Sequence, residues 1–204
     1  MRRRETSKAR RKAQRDQRNR YKIIKDARAV YREVFDSLAG GIVVVERAGC
    51  LYHTASLIYA ASKNGLDLIP QAGTAAWPRI CLDQDDGKMD THFAYQWNGI
   101  EHPSTQAAIR AGGMPEMHVW AADVKGQAIV DITTKYLPEQ CIKQARMEWT
   151  APQPPDHLWA QTNEMPAGYF YKPNEDATRF VLQELVAAIH ACGRVLSGKL
   201  PRGT

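Results

Sequence analysis

Two stretches of the chain have the hydrophobic pattern of helices. Between residues 21 and 38, apolar side chains recur at spacings of three, four and seven, which predicts one helix face: Tyr21, Ile24, Tyr31, Val34, Phe35 and Leu38. Ala39-Gly40-Gly41 is expected to end this helix. From Cys50 to about Lys63 nearly every face is apolar, which is typical of a helix inside the protein. Asn64-Gly65 provides residues that tolerate a left-handed cap.

The middle of the chain changes to the period of two that strands show. Phe93, Tyr95 and Trp97 alternate with other residues until Asn98-Gly99 ends the pattern. Leu66 to Gln71 is a further apolar run that leads to Trp77. Pro70 and Pro78 in this region favour an edge strand or a bend.

Two further runs predict a β-hairpin. Residues 117–124 and 127–133 are strand-like and flank Lys125-Gly126, which we expect to form a two-residue turn. Residues 102–113 have room for one short helical turn.

The end of the chain combines an irregular segment with a helix. Residues 148–174 contain five prolines, which predicts a long surface connection. Asn174 is a suitable cap for a last helix, Glu175 to Leu196. The residues expected to face inward are Phe180, Val181, Leu185, Ile189 and Cys192. Helices at both ends of a strand-rich centre predict an α+β fold in one domain, residues 21–204.

Charge separates the first residues from this domain. Residues 1–32 carry 14 of the 28 Lys and Arg and three acidic residues, a net charge of +11. The rest of the chain therefore has a net charge of −5. We expect residues 1–20 to form a basic arm. It is either a solvated helix without a fixed partner, or a contact for nucleic acid, an anionic membrane or an acidic protein.

Several other classes of protein do not fit the sequence. No run of about 18 apolar residues predicts a membrane span, and the basic arm has no apolar core of a secretory signal. The four cysteines are far apart and have no zinc-site spacing, so free thiols in a reducing cytoplasm are expected. Neither a metal nor a cofactor is predicted.

Cys50 is a candidate nucleophile because of its position at a helix start. The unpaired amides and the positive end of the helix dipole in the first turn favour a thiolate over a thiol, and the thiolate is the nucleophile. Gly49 allows a close approach to the backbone. Taken alone, Cys50 also fits a small buried hydrophobic residue of the core.

The predicted hairpin adds two residues to this candidate site. With a turn at Lys125-Gly126, residues whose numbers sum to 251 face each other, so Asp131 faces Trp120 and His118 is its diagonal neighbour on one face. Diagonal pairs are within reach of long side chains. The resulting imidazole–carboxylate bond would orient His118 as a base for a thiol. Asp131 lies in an apolar run, where a charge is seldom found unpaired.

The order of these motifs resembles the transglutaminase-like (papain-like) superfamily of cysteine enzymes. The matching segments are Gly49-Cys50, His118-Val119-Trp120 and Asp131-Ile132-Thr133. The resemblance covers about residues 40–135. Arylamine acetyltransferases share the order but are longer. The resemblance implies a nucleophile helix packed on an antiparallel sheet, with helices added at both ends.

The resemblance also implies roles for the three residues. Cys50 would be the nucleophile, His118 the general base and then acid, and Asp131 the orienting carboxylate. The expected enzyme forms a thioester on Cys50 from a peptide, protein or other amide substrate. Hydrolysis, as by a peptidase or amidase, is expected rather than transglutaminase-like transfer. The alternative is a non-catalytic binding module that uses its basic residues 1–32 on nucleic acid or an acidic protein.

The remaining parts of the predicted site are less specific. The backbone amide of Cys50 is one oxyanion donor, and Gln71 or His53 is a possible second one. His53 also fits a partly exposed residue without a role. Trp120 shares the face of the proposed triad and is expected, together with Gln71, to contact the substrate.

Overall fold

The computed structural model of the protein describes residues 2–36, 49–80 and 91–197. The predicted helix end at Ala39-Gly41 and the inward-facing Leu38 lie outside these residues. The described part has an α+β fold, which confirms the predicted class.

Four helices of eight or more residues lie in the described part of the chain. They are α1 (Arg2–Tyr31), α2 (Gly49–Lys63), α3 (Pro103–Arg110) and α4 (Glu175–Leu196). A π-helical turn, Arg32–Asp36, continues α1. Shorter helical turns follow one another at Thr134–Tyr136, Leu137–Gln140 and Cys141–Ala145.

Six antiparallel strands form one sheet. They are β1 (Leu68–Pro78), β2 (His92–Tyr95), β3 (His118–Asp123), β4 (Ala128–Asp131), β5 (Leu158–Gln161) and β6 (Phe170–Pro173). The neighbours follow the order β2-β1-β3-β4-β5, and β6 also pairs with β1. At Pro70, β1 pairs with β3 on one side only. Proline has no backbone N–H to donate, and on the other side of β1 no described strand requires one at this position.

The register of the β3–β4 hairpin is the predicted one, but its loop is longer. Ala121 pairs with Val130 and Ala122 with Ile129. The strands are separated by residues 124–127 instead of a two-residue turn. Asp123 explains the difference, because its Oδ1 accepts hydrogen bonds from the amides of residues 127 and 128 at 2.6 and 3.0 Å.

The helices cover one face of the sheet. The second half of α1 packs on α2 and on β1, β3 and β4 through a cluster of buried residues: Ile23, Ile24, Ala27, Leu57, Ala60, Ala61, Leu68, Ala121 and Val130. Full burial of one such Leu or Ile side chain stabilises the fold by about 1.5–3 kcal/mol. Tyr21, predicted to face inward, is instead 68% exposed, because the docked part of α1 begins two residues later.

The last helix has the predicted bounds and cap. The Asn174 side chain accepts a hydrogen bond from the amide of Ala177 at 3.0 Å. Val181, Leu185 and Cys192 are buried as expected.

Two other predictions were wrong or incomplete. Residues 148–174 are not only a surface connection, because they contribute β5 and β6. Both strands have four residues, too few for a period of two to be recognised. Residues 102–113 hold a helix of two turns, α3, whose start is capped by the ring of His102.

Candidate active site

Cys50 lies in the first turn of α2, which is held against the sheet one turn later. Thr54 donates a hydrogen bond from Oγ1 to the carbonyl of Val119 on β3, at 3.1 Å. Residues four apart share a helix face, so this bond brings the side of α2 that carries Cys50 next to the strand that carries His118. Cys50 is half-buried.

His118 and Asp131 form a buried pair across the hairpin. His118 Nε2 lies 2.8 Å from Asp131 Oδ2, and each side chain is only 1% exposed. This is the diagonal contact that the hairpin register predicts. The bond leaves Nδ1 as the second ring nitrogen of His118.

Four hydrogen-bond donors surround the Asp131 carboxylate. Oδ1 accepts from the amide and the hydroxyl of Thr133, at 2.8 and 2.6 Å. Oδ2 accepts from His118 and from the Tyr171 hydroxyl, the latter at 2.8 Å. The Tyr171 hydroxyl in turn accepts a bond of 3.0 Å from Trp77 Nε1. A carboxylate with this number of donors stays ionised and fixed in orientation, even when buried.

The pair is electrostatically stable as imidazolium and carboxylate. Burial alone would lower the pKa of His118, but the charge of Asp131, the hydrogen bond to it and the neighbouring Cys50 thiol raise this pKa to about 10. Burial likewise acts to raise the pKa of Asp131, and the charge of His118 with its hydrogen bonds holds that pKa below its usual value. His118 is therefore protonated at neutral pH.

The Cys50 thiol lies close to the free nitrogen of this imidazole. The Cys50 sulfur contributes to the raised pKa of His118 both as a hydrogen-bond acceptor and through its charge. Nδ1 is buried, and no described residue, Cys50 included, makes a hydrogen bond of regular geometry with it. Since Nε2 is bonded to Asp131, Nδ1 is the nitrogen available to the sulfur. Long or poorly aligned contacts of this kind are common in sites without substrate.

Aromatic rings enclose His118. Tyr95 stacks on the imidazole with ring centroids 5.7 Å apart and planes 12° from parallel. Trp77 meets it edge-on at 5.0 Å and Trp120 lies at 6.0 Å. These rings exclude water and lower the local dielectric, which strengthens the His118–Asp131 interaction. Burial, and next the charge of Cys50, raise the pKa of the Tyr95 hydroxyl, so Tyr95 stays neutral beside the thiol.

The two residues predicted to contact substrate bond to each other. Trp120 Nε1 donates to Gln71 Oε1 at 2.9 Å, across the register of β1 and β3. Trp120 is fully buried, so its observed contacts are with the ring layer around His118. Substrate contact by Trp120 or Gln71 stays a prediction.

His53 is buried and not partly exposed. Only 7% of it is accessible, and its ring stacks on Tyr31 with centroids 3.7 Å apart. Burial lowers the pKa of His53 to about 4, although the charge of Asp131 acts in the opposite direction. His53 is therefore neutral at pH 7.

Three residues of the site were missed from the sequence: Tyr171, Tyr95 as the ring on His118, and Thr54. Thr54 had a usable signal, since it lies one helical turn after Cys50. Tyr171 had none, because β6 is short and pairs with a strand almost 100 residues earlier. Among the described residues, no group of three or more His, Cys, Asp or Glu is arranged to hold a metal.

No protein-family model matches the chain, and no match is found among curated proteins. The fold is similar to the crystal structure of a genomics target, APC5867, with 14% sequence identity and a TM-score of 0.46. The match covers 84% of this chain and 77% of that one. In the described ranges, no helix has the length and apolar character needed to cross a bilayer.

Proposed function

We propose that this protein is a cysteine-dependent acyl-transfer enzyme that hydrolyses an amide or peptide bond through a thioester on Cys50. The observation that carries the proposal is the buried His118–Asp131 pair next to a thiol at a helix start. Ionised groups are rarely buried without a function or a full set of partners. The same observation supports a transglutaminase-like core, with α2 as the nucleophile helix.

The proposed reaction begins with the Cys50 sulfur as a thiolate, whose proton is held on His118 Nδ1, and this thiolate attacks the carbonyl carbon of the amide. A C–S bond forms and the carbonyl oxygen becomes an oxyanion. His118 gives its Nδ1 proton to the amide nitrogen, the C–N bond breaks and the amine leaves. Water then attacks the thioester while His118 accepts its proton, and the acid leaves as the C–S bond breaks. The sum is one amide plus one water, which give one acid and one amine.

Asp131 has a positioning role in this scheme. It holds the ring with Nδ1 towards the sulfur and stabilises the imidazolium that precedes proton transfer. The oxyanion would be bound by the backbone amide of Cys50 at the positive end of α2. Gln71 and His53 remain the candidates for a second donor.

Hydrolysis is the proposed outcome, and transfer to an amine differs only in the nucleophile that resolves the thioester. No cofactor enters the scheme. A reducing, cytoplasmic location is proposed, since the described cysteines Cys50, Cys141 and Cys192 are free thiols. The alternative of a degenerate, non-catalytic scaffold has less support, because the thiol and the acid–base pair are all present.

The reactivity of Cys50 towards iodoacetamide tests the proposal. An ordinary thiol has a pKa of about 8.5, so only a few per cent is thiolate at pH 7. We expect Cys50 to be alkylated about 10-fold faster at pH 6–7 than the same cysteine in urea, as followed by intact mass. Peptide mapping separates Cys50 from the other three cysteines, of which Cys141 and Cys192 are buried.

Matched variants complete this experiment. His118→Ala should reduce the rate to that of the denatured chain, whereas His190→Ala, which removes an exposed imidazole of α4, should not change it. Alkylation of native Cys50 no faster than of unfolded Cys50 would refute the nucleophile assignment.

A further inference from the structure

The middle of α1, residues 10–22, is a surface that the proposed active site does not use. Every side chain from residue 10 to residue 22 is exposed, and burial begins at Ile23. At 1.5 Å per residue this exposed segment is about 20 Å long. We name residues 10–22 the basic segment. Its first 11 residues include six cations and a single acid, Asp16.

Most of these cations have no counter-charge among the described residues. Lys22 pairs with Asp26 at 2.8 Å, and Arg20 lies over the ring of Trp159 at 5.2 Å. The other cations make no ion pair with any residue of the described ranges: Arg10, Arg11, Lys12, Arg15 and Arg18.

Three of the cations form a row on one face of the helix. Arg11, Arg15 and Arg18 are separated by four and three residues, which places the Cβ atoms of neighbouring arginines about 5–6 Å apart. Like charges at these spacings destabilise an isolated helix by a few tenths of a kcal/mol per pair. A partner that carries a regular row of negative charges would offset this repulsion by attracting all three arginines.

The composition of the basic segment argues against two of the three possible partners, an acidic protein and an anionic membrane, and leaves nucleic acid. From residue 10 to residue 20 the only apolar side chain is Ala13. A protein interface needs apolar or aromatic anchors at its centre, and an interfacial membrane helix needs an apolar face. Residues 10–20 have neither, and the one aromatic ring of the segment, Tyr21, lies at its end and not at its centre. Affinity must therefore come from charge, which favours a polymer that releases condensed counterions.

We propose that the basic segment binds the phosphate backbone of double-stranded B-form DNA. A helix fits the major groove of B-DNA, about 12 Å wide, whereas the major groove of duplex RNA is too narrow to admit one. Single strands are bound through stacking on aromatic rings, and the segment has only Tyr21, at its base. Binding through phosphates alone is independent of base sequence.

The salt dependence of binding tests this proposal quantitatively. With the full chain and a fluorescent DNA duplex of random sequence, the five unpaired cations predict a slope of log K against log salt of about −4 to −5. Binding should weaken several hundred-fold between 50 and 200 mM salt. Replacing Arg11, Arg15 and Arg18 together by Gln should make the slope about 3 units shallower.

A control variant removes equal charge from other surfaces. Lys125, Lys172 and Arg194 are exposed on other elements, and their joint replacement by Gln should leave the slope unchanged. Cys50→Ala should also bind DNA normally, so the failure of the proposed chemistry and the failure of DNA binding are distinguishable. Circular dichroism of each variant checks that it is folded.

Three results would overturn the proposal. The first is equal loss of binding in the arginine variant and the control variant. The second is tighter binding to duplex RNA or to single-stranded DNA than to duplex DNA. The third is binding to vesicles of anionic lipid, or to an acidic protein, at salt concentrations where duplex DNA is not bound.

Discussion

Replacement of Asp131 by Asn is the sharpest test of the buried pair, because it removes one charge and keeps the shape. In the native protein the carboxylate faces an imidazolium 2.8 Å away, and both side chains are 1% exposed. Removing one partner of a buried ion pair costs about 3–5 kcal/mol, since the other charge is left without compensation. Despite burial, which acts to lower it, the pKa of His118 is raised to about 10, chiefly by the charge of Asp131 and the hydrogen bond to it, which agrees in direction with a stabilising pair.

The pH dependence of this loss has a defined sign. Because its pKa is raised, His118 contributes stability that is fully present below pH 6.5 and is lost as the pH rises through about 10. Asp131 has a lowered pKa, so its contribution is present above its ordinary pKa of 3.8 and is lost in acid. In Asp131→Asn the buried imidazole prefers to be neutral, so stability should instead fall as the pH drops below about 6.5.

Thermal unfolding between pH 6 and pH 10 measures both effects. For a chain of this size, a loss of 3–5 kcal/mol lowers Tm by about 6–20 °C. The difference between the native protein and Asp131→Asn should be largest at pH 6 and shrink towards pH 10. Asp67→Asn, the same change at an exposed position, is the control and should alter Tm little. A loss below about 1 kcal/mol, or a difference that is constant with pH, would refute the reasoning.

Two further substitutions test the residues that hold the pair in place. Tyr171→Phe removes a donor to Asp131 and leaves Trp77 Nε1 unbonded. The free energy of unfolding in urea should fall by about 2–4 kcal/mol, and alkylation of Cys50 should become slower. Unchanged stability would show that the hydroxyl is dispensable. Thr54→Val keeps the size of the side chain and removes its hydrogen bond to Val119. The free energy of unfolding should fall by about 1–3 kcal/mol, and alkylation of Cys50 should become slower. Thr54→Ser should restore the alkylation rate.

The parts of the site that could be predicted are those fixed by local sequence. The hairpin register depends on a short connection and on the alternation of its two strands, so the pairing of His118 with Asp131 followed from counting residues. The bounds of α2 and α4 follow from their apolar faces and from the cap residues Gly65 and Asn174.

The parts that could not be predicted depend on contacts between distant segments. Tyr171 reaches Asp131 only because β6 pairs with β1, and nothing in four residues of sequence specifies that partner. The place where α1 meets the sheet was also misjudged. Tyr21 fits the apolar stripe by spacing, but a helix can extend past the body it packs on, and spacing alone does not show where that happens.

Asp131 matters both for the stability of the fold and for the proposed chemistry. A charge buried this deeply destabilises the fold unless every donor is in place. The donors come from β3, from Thr133 and from β6, so the folding of three separate parts of the chain is needed before His118 can be held as an imidazolium. A scaffold that only binds a partner has no need of such a pair, and an apolar pair of the same volume would be at least as stable there. The presence of this ion pair beside a half-buried thiol is therefore an argument for the proposed chemistry at Cys50.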